Sequence, residues 1–529
     1  MFHSVVHGQQ LVILPFSMNL LTSRKYSFYS IMVSGNSDER ILMQNIFLNE
    51  NEKQELSKYE AITNREELIE KLNPLGGKLY GLHLIWAYRH LYEQFEDSFD
   101  EMPVGIKSML TSIATLHGNV AKAEAFLEKI KETEPEYIYA LTCFAVPEVG
   151  YERLKAAVAY LDGIHFPRSE SVILNVNRPT IMSGMRDFYP LKDFIRSHKE
   201  EAIRYIRVLH GDTAPFAYDI ADAEMLYEEN KCYEALVKLM CILPYFPRNN
   251  DYRVYFVALY LQLKILVLND QVTATYPLIQ GMWEKLEESG TSEFKASMTA
   301  IEILIALYEC DYEKMNDWLL NCAPDENEGI CMIDVMTYFV KIRCYIVQKK
   351  ELAALSLAHT ISDLLKSYNR PHDYCELTLL ESIALFSLGQ NDDAFNVFDE
   401  CLDYAEKYCF IRLIADEGSV VVKLIQAFLL AKPDTNHKEF LNKVIEPARI
   451  LTSYYPQYLS SIKPVNEALT ASEKSILRLA KAGLSNQEIA ATMCVSLPTV
   501  KFHISNILRK LGVENRSSAA QRASELGII

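Results

Sequence analysis

Glycine and proline are scarce in this chain of 529 residues, 19 of each, and tryptophan is scarcer still, at 3. Gly and Pro are the strongest local punctuation of a chain, so their scarcity argues for long elements. The apolar residues recur at helical spacing through most of the length, and few stretches alternate as strands. No apolar run approaches the length that spans a bilayer. The 11 cysteines form no CxxC and no Cys/His cluster at zinc spacing. Scattered inside apolar patterns, they read as buried free thiols in a reducing compartment, with redox sensing by one of them the sharper alternative. No HExxH or GxSxG is present. Gly76-Gly77-Lys78 fails as a phosphate loop, because Leu72 and Leu79 stand where Gly and Ser or Thr are needed. The alternating strands and helices of a phospho-acceptor receiver domain, with an acidic cluster near its start, are missing too. The 12 histidines are dispersed. His83 and His90 share a helical face with no third ligand in sight, so packing or surface roles are expected rather than metal binding. The chain is therefore expected to be no enzyme and to carry no cofactor.

Apolar content of 49% and charged content of 23% are ordinary for a globular protein, and the length exceeds what one core can organise. The net charge of −17 is unevenly shared. From Val465 to Ile529 there are eight Lys or Arg and five Asp or Glu, a balance of +3 that leaves −20 on the rest. An acidic body with a small basic module confines contact with a polyanion to that module. Near the start, Leu11–Leu21 is moderately apolar but interrupted by Pro15, Ser17 and Asn19, with Arg24 and Lys25 after it. It is too short to span a membrane and poorly ordered for a signal peptide; it reads as a peripheral helix or as residues from an upstream start codon.

From about Leu226 to Leu402 a pattern repeats: a helix, a short polar break, and a second helix opening near an alanine. The breaks fall at Asn230, Asn269, Asp311, Lys349 and Gln390, spaced by 39, 42, 38 and 41 residues. An earlier copy runs from Met109 to Ile130 and breaks at Gly118-Asn119. A period near 40 with two helices per unit is the signature of a helical solenoid, since one hairpin cannot bury its apolar face alone. The region from Glu132 to Glu200 is the least repeat-like, and Ser169–Asp187 reads as a longer loop or irregular insertion. Further breaks fall at Lys432–Asn436 and Tyr454–Pro464. Aromatics are dense at Tyr245-Phe246, Tyr252, Tyr255-Phe256 and Tyr260. They read as packing between repeats or, more sharply, as a pocket on the concave face.

The last sixty or so residues hold two short helical patterns, Asn486–Met493 and Leu497–Leu511, with Ser485 and Ser496 placed as caps and Cys494-Val495 between them. Pro498 lies in the opening turn of the second, where its missing N–H costs nothing. This is helix–turn–helix spacing. Val500, Ile504, Ile507 and Leu511 form one apolar stripe, while Lys501, Phe502, Ser505 and Arg509 lie opposite, flanked by Thr499, Asn506 and Lys510. Such a face suits a DNA major groove, although a solvated amphipathic helix has the same pattern.

The segment resembles the LuxR-type (GerE-like) DNA-binding domain without a gap over about sixty residues. The resemblance is carried by Leu469-Thr470, Glu473, Leu477, Leu479, Gly483, Ser485-Asn486, Glu488-Ile489-Ala490, Val495-Ser496, Thr499-Val500-Lys501, His503, Ile507, Lys510-Leu511, Val513 and Asn515-Arg516. Ser472 and Ser475 depart from the family's usual Arg and Glu. The resemblance implies a four-helix domain in which Lys501, Phe502 and Ser505 meet base edges, and dimerisation through a helix near Arg516–Leu526. We place Ser485, Thr499, Asn506, Arg509 and Lys510 on the same DNA-facing surface. The repeats resemble the degenerate tetratricopeptide-type solenoid of the MalT-like regulators, and Asp403–Gly418, ending in Asp416-Glu417-Gly418, resembles the segment that follows it there.

The expected fold is all-α: a TPR-like helical-repeat solenoid followed by a C-terminal four-helix LuxR-type domain. The boundaries expected are an irregular helical segment at 1–75, divergent repeats with an insertion at 76–225, TPR-like repeats at 226–455, a linker at 456–466 and the DNA-binding domain at 467–529. The expected function is sequence-specific regulation of transcription in the cytoplasm, on the nucleoid when bound. The chain would bind double-stranded DNA as a homodimer, with a small molecule or protein partner on the solenoid and no membrane association. The rival is an interaction scaffold whose basic domain binds DNA weakly and without preference; a second is an enzyme hidden within residues 1–225.

Overall fold

A computed structural model describes residues 48–76, 82–133, 142, 150–164, 178–184, 187–210, 213–244, 252–289, 294–326, 330–459, 471–493, 495, 497–511, 515–516 and 518–520. Leu11–Leu21, the first part of the expected insertion, Tyr245-Phe246, Ser496 and the segment 460–470 lie outside the described residues. Every regular element among the described residues is a helix, so the fold is all-α. None of these helices is long and apolar enough to cross a membrane. The chain divides into two compact units, the larger carrying the helices from Glu50 to Tyr454 and the smaller holding Ser460–Ile529.

The larger unit opens with α1 (Glu50–Glu60), α2 (Arg65–Gly76), α3 (Leu82–Glu93), α4 (Val104–Leu116) and α5 (Val120–Thr133). Asn49 begins α1 with a reciprocal capping box: its side chain accepts from Glu52 N at 2.9 Å, and its own N–H donates to Glu52 at 2.7 Å. Helices α2 and α4 meet backbone to backbone at Gly76 and Gly105, where any added Cβ would overlap the facing chain. Next come α6 (Tyr151–Gly163), α7 (Lys192–Ser197) and α8 (Lys199–His210). Between α6 and α7, residues 178–184 and 187–191 form an irregular strap ending in a single 3-10 turn, Tyr189–Leu191.

The five repeats follow as helix pairs: α9 (Ala214–Glu228) with α10 (Cys232–Ile242), α11 (Tyr252–Leu268) with α12 (Thr275–Ser289), α13 (Lys295–Glu309) with α14 (Tyr312–Asn321), α15 (Val335–Val347) with α16 (Glu351–Ser367), and α17 (Pro371–Ser387) with α18 (Asn391–Tyr408). Each break has one physical cause. The first helix ends on a left-handed residue, Asn230, Asp270, Cys310, Lys349 or Gly389, at intervals of 40, 40, 39 and 40 residues. The N–H after it then reaches back five residues, as from Lys231 to Leu226 O at 2.8 Å and from Gln390 to Leu385 O at 3.0 Å. Gly118 closes α4 in the same way through Asn119 N and Ala114 O at 2.9 Å. Only two of these six positions use glycine, which is how a glycine-poor chain still turns on schedule.

The apolar faces of successive pairs interlock. Ile220, Tyr227, Leu239, Val257, Leu261 and Ile265 share one buried cluster drawn from α9, α10 and α11. After the last repeat come α19 (Ile411–Ala415), every residue of which is buried, α20 (Gly418–Ala431) and α21 (Lys438–Tyr454). The chain stays packed as far as Tyr458 and Leu459, each 2% exposed, beyond the point where a linker was expected to open. The smaller unit contains α22 (Ala471–Lys481), α23 (Asn486–Met493) and α24 (Leu497–Leu511), with helical residues again at 518–520.

Candidate nucleic-acid interface and the inner cavity

In the smaller unit, Gly483 at φ +92° ends the turn after α22, and Ser485 opens α23. Ser485 Oγ accepts from Glu488 N at 3.3 Å, while Ser485 N donates to Glu488 Oε2 at 2.7 Å. This capping box satisfies two orphan donors and fixes where α23 starts. The bond from Ser485 N also holds the Glu488 carboxyl below its ordinary range. Ile476, Leu477, Ile489, Val500 and Ile507 are buried together, with Ile504 and Leu508 half-buried against them. That core docks α23 across α24. Arg516 donates to Asn486 Oδ1 at 3.2 Å, and Asn515 caps the helical residues 518–520 by accepting from Ser518 N at 2.9 Å.

Val500 and Ile507 thus face inward as the periodicity expected, and Lys501, on the other side of α24, is exposed. Ser485 is exposed and Thr499 half-buried. The side chains of Phe502, Ser505, Asn506, Arg509, Lys510 and Leu511 lie outside the described residues. Residues 467–523 match the family "Bacterial regulatory proteins, luxR family". The C-terminal segment is a luxR-family helix–turn–helix domain. Over 102 residues the chain is 34% identical to "Response regulator protein VraR" of Staphylococcus aureus (strain NCTC 8325 / PS 47), covering 18% of this chain and 49% of that protein. Over 166 residues it is 28% identical to "HTH-type transcriptional regulator MalT" of Serratia proteamaculans (strain 568), covering 28% of this chain and 18% of that protein. The chain thus spans about half of the first relative and under a fifth of the second. By these names both relatives are regulators.

The larger unit holds a cavity that has Tyr260, of the aromatic cluster, in its wall. The cavity, of about 110 Å³, is walled by the first helix of every repeat, α9, α11, α13, α15 and α17, and by Leu413, Asp416, Glu417 and Tyr458 from beyond the last repeat. The period explains the wall. Lys264 and Arg343 occupy equivalent turns two repeats apart, at 40 and then 39 residues through Leu304. Segments from outside the repeats close the array on itself. Tyr227 donates to Asp416 Oδ2 at 2.7 Å, Leu413 N to Glu228 Oε2 at 2.9 Å, and Tyr455 to Val267 O at 3.0 Å. Tyr308 stacks on Tyr458 with ring centroids 4.1 Å apart.

The strap enters from the other side. Arg178 pairs with Asp373 and, at 2.7 Å, with Glu376. Ile181 N and Met182 N donate to Glu224 at 3.0 and 2.9 Å. Arg370 donates to the carbonyls of Ser183 and Gly184 at 2.8 and 2.7 Å, and His372 N to Asp187 at 2.7 Å. The expected insertion is therefore, from residue 178 onward, a tightly bonded part of the core. A chain of alternating charges results: Glu228, His372, Asp373, Arg178, Glu376, Arg343 and Glu417. Burial alone would raise the Glu228 carboxyl, but Lys264, His372 and the Leu413 N–H hold it at about 2. Burial would lower His372, but Asp373 and Glu228 raise it to about 9. Burial pushes Glu224 up to about 7 and Asp187 up to about 6.

His372, Asp373 and Glu376 are close enough to share a cation. Their carboxylates are already taken by Arg178, Arg370 and Arg343, whose charges repel one, so the cluster is an ion-pair web. His90, expected in a packing or surface role, lies 3.2 Å from Glu60; the His83 side chain lies outside the described residues. Cys375 and Cys401 are buried 3.7 Å apart as free thiols, and burial pushes Cys375 well up. The cavity among α1, α2, α3 and α4, about 310 Å³, is lined by Tyr59, Leu75, Ile85 and Tyr88, with Glu52 and Glu55 at its edge. Glu52 is engaged in capping α1, so no acid–base pair converges there.

Proposed function

We propose that this chain is a sequence-specific transcriptional regulator whose helical-repeat array senses a ligand or partner and whose domain at 467–529 reads DNA. The supporting observation is the helix–turn–helix in the segment matched to the luxR family: α24 is docked by Val500 and Ile507 so that Lys501 stands clear of the core. In this reading Lys501, Phe502 and Ser505 meet bases, while Ser485, Thr499, Asn506 and Lys510 position the domain on phosphates and Arg509 lies on the same DNA-facing surface. Paired domains occupy two half-sites as a homodimer, in the cytoplasm and on the nucleoid when bound. The acidic array, at −20, keeps the polyanion on the small domain.

A gel shift with fragments selected from genomic DNA tests the reading. Wild-type protein is expected to prefer one fragment over random DNA, and Lys501→Ala to lose that preference with its fold intact. Weak binding that falls with salt and shows no preference in either protein would instead favour the scaffold reading.

A further inference from the structure

We propose that the inner cavity of the repeat array binds a short-chain carboxylate, with Lys264 and Tyr260 holding the carboxylate and the apolar wall of α11 and α13 holding its body. The inference rests on the reading of the array as a sensor and names the class of ligand sensed.

Lys264 differs from the other cations of the cavity. Arg178 and Arg343 lie 2.7 and 3.0 Å from Glu376, and His372 lies between Glu228 and Asp373. The Lys264 ammonium is 3.7 Å from Glu228, beyond hydrogen-bond distance, and sits 4.1 Å over the Tyr227 ring. No acceptor among the described residues takes one of its N–H groups. Glu228 feels its charge across that gap but takes its hydrogen bond from the Leu413 N–H at 2.9 Å instead. The side chain keeps 29% of its surface accessible, and it lines the cavity.

Tyr260 stands one turn earlier on the same face of α11, also lines the cavity, and has no hydrogen-bond partner among the described residues. An ammonium and a hydroxyl at i and i+4 form a two-point donor set for one carboxylate. Beside them, Leu268, Ile301, Leu304 and Ile305 supply an apolar wall. An engineered apolar cavity of about 150 Å³ takes up benzene, so 110 Å³ suits a body of about five non-hydrogen atoms. An incoming carboxylate would accept from the Lys264 N–H groups that no described residue takes, whereas a cation would meet acids already bonded to Arg178, Arg343 and the Leu413 N–H. Because every repeat and the closing segment share the wall, a bound ligand would favour one arrangement of the whole array.

The test is calorimetric titration of the full chain with 3-methylbutanoate, 3-methyl-2-oxobutanoate and L-valine, with neutral 3-methylbutanamide for comparison. The three acids share the head and body and separate a plain acid, a keto acid and an amino acid as the source. At least one is expected to bind, with the amide at least tenfold weaker. Lys264→Met should weaken the acid at least tenfold, and Tyr260→Phe about threefold as a milder variant that keeps the charge web whole. The proposal is overturned if none of the acids binds, if the amide binds equally well, or if Lys264→Met, confirmed folded, or Tyr260→Phe binds unchanged. A gel shift on the same preparations keeps the readings apart, since sequence-preferring DNA binding without carboxylate binding defeats this inference and leaves the regulator intact.

Discussion

The two units of this chain treat charge in opposite ways. The array buries it: Arg178, Glu376, Arg343, Glu417 and Asp373 are all at or below 14% exposed and are paired with one another. The small domain packs an almost wholly apolar core and leaves Lys501 in solvent. A buried web is demanding of geometry and holds distant segments in one register, whereas an exposed base is free to meet a partner's charge.

The largest way to break the contrast is to cut the web. Asp373→Ala takes a buried carboxylate from both Arg178 and Arg370, and breaking a buried pair from one side costs about 3–5 kcal/mol. Denaturant unfolding should show that loss in the array's transition, while Lys501→Ala leaves the transition where it was. Next comes pH. Burial raises Glu224 from 4.5 to about 7, so its contribution is present below pH 4.5 and is lost as pH rises through 7. At about 1.4 kcal/mol per unit the loss is at most about 3.5 kcal/mol. Glu224→Gln should therefore gain on the wild type as pH rises from 5 to 8, and denaturant midpoints across that range check it; a constant difference would contradict the account. Third, Lys501→Ala should cost about 2 kcal/mol of binding to a preferred DNA fragment, read by gel shift. Smallest is Ser485→Ala, which removes the α23 cap and should lower the small domain's stability by about 1 kcal/mol, read by its own thermal transition.

The same contrast explains what was legible in the sequence. Helix α24 was readable because its evidence is local: a cap, a proline in the first turn and an apolar stripe within fifteen residues. The repeat breaks were readable to within a residue, because each is a left-handed closure with short polar residues between two apolar helical runs. The cavity was not, since its partners lie far apart in the chain, as Arg178 with Asp373 and Arg343 with Glu417 do. No short window contains both halves of such a pair. Yet a signal was present. Glu224, Lys264 and Arg343 are charged residues in the first helices of their repeats, at a spacing commensurate with the repeat. Aligning the repeats by period before asking about polarity would have marked the inner wall. Tyr260, read with the aromatic cluster as repeat packing or a concave pocket, would have fallen beside Lys264.

The account stands or falls on whether DNA preference lives in α24. The direct measurement is the ratio of affinities of the full chain for a selected fragment and for random DNA, at one fixed salt concentration, in wild type and Lys501→Ala. A preference of about a thousandfold or more that falls at least tenfold in the variant, with the array's unfolding unchanged, is the predicted result. Equal affinity for both DNAs, or a preference that survives Lys501→Ala, would contradict it.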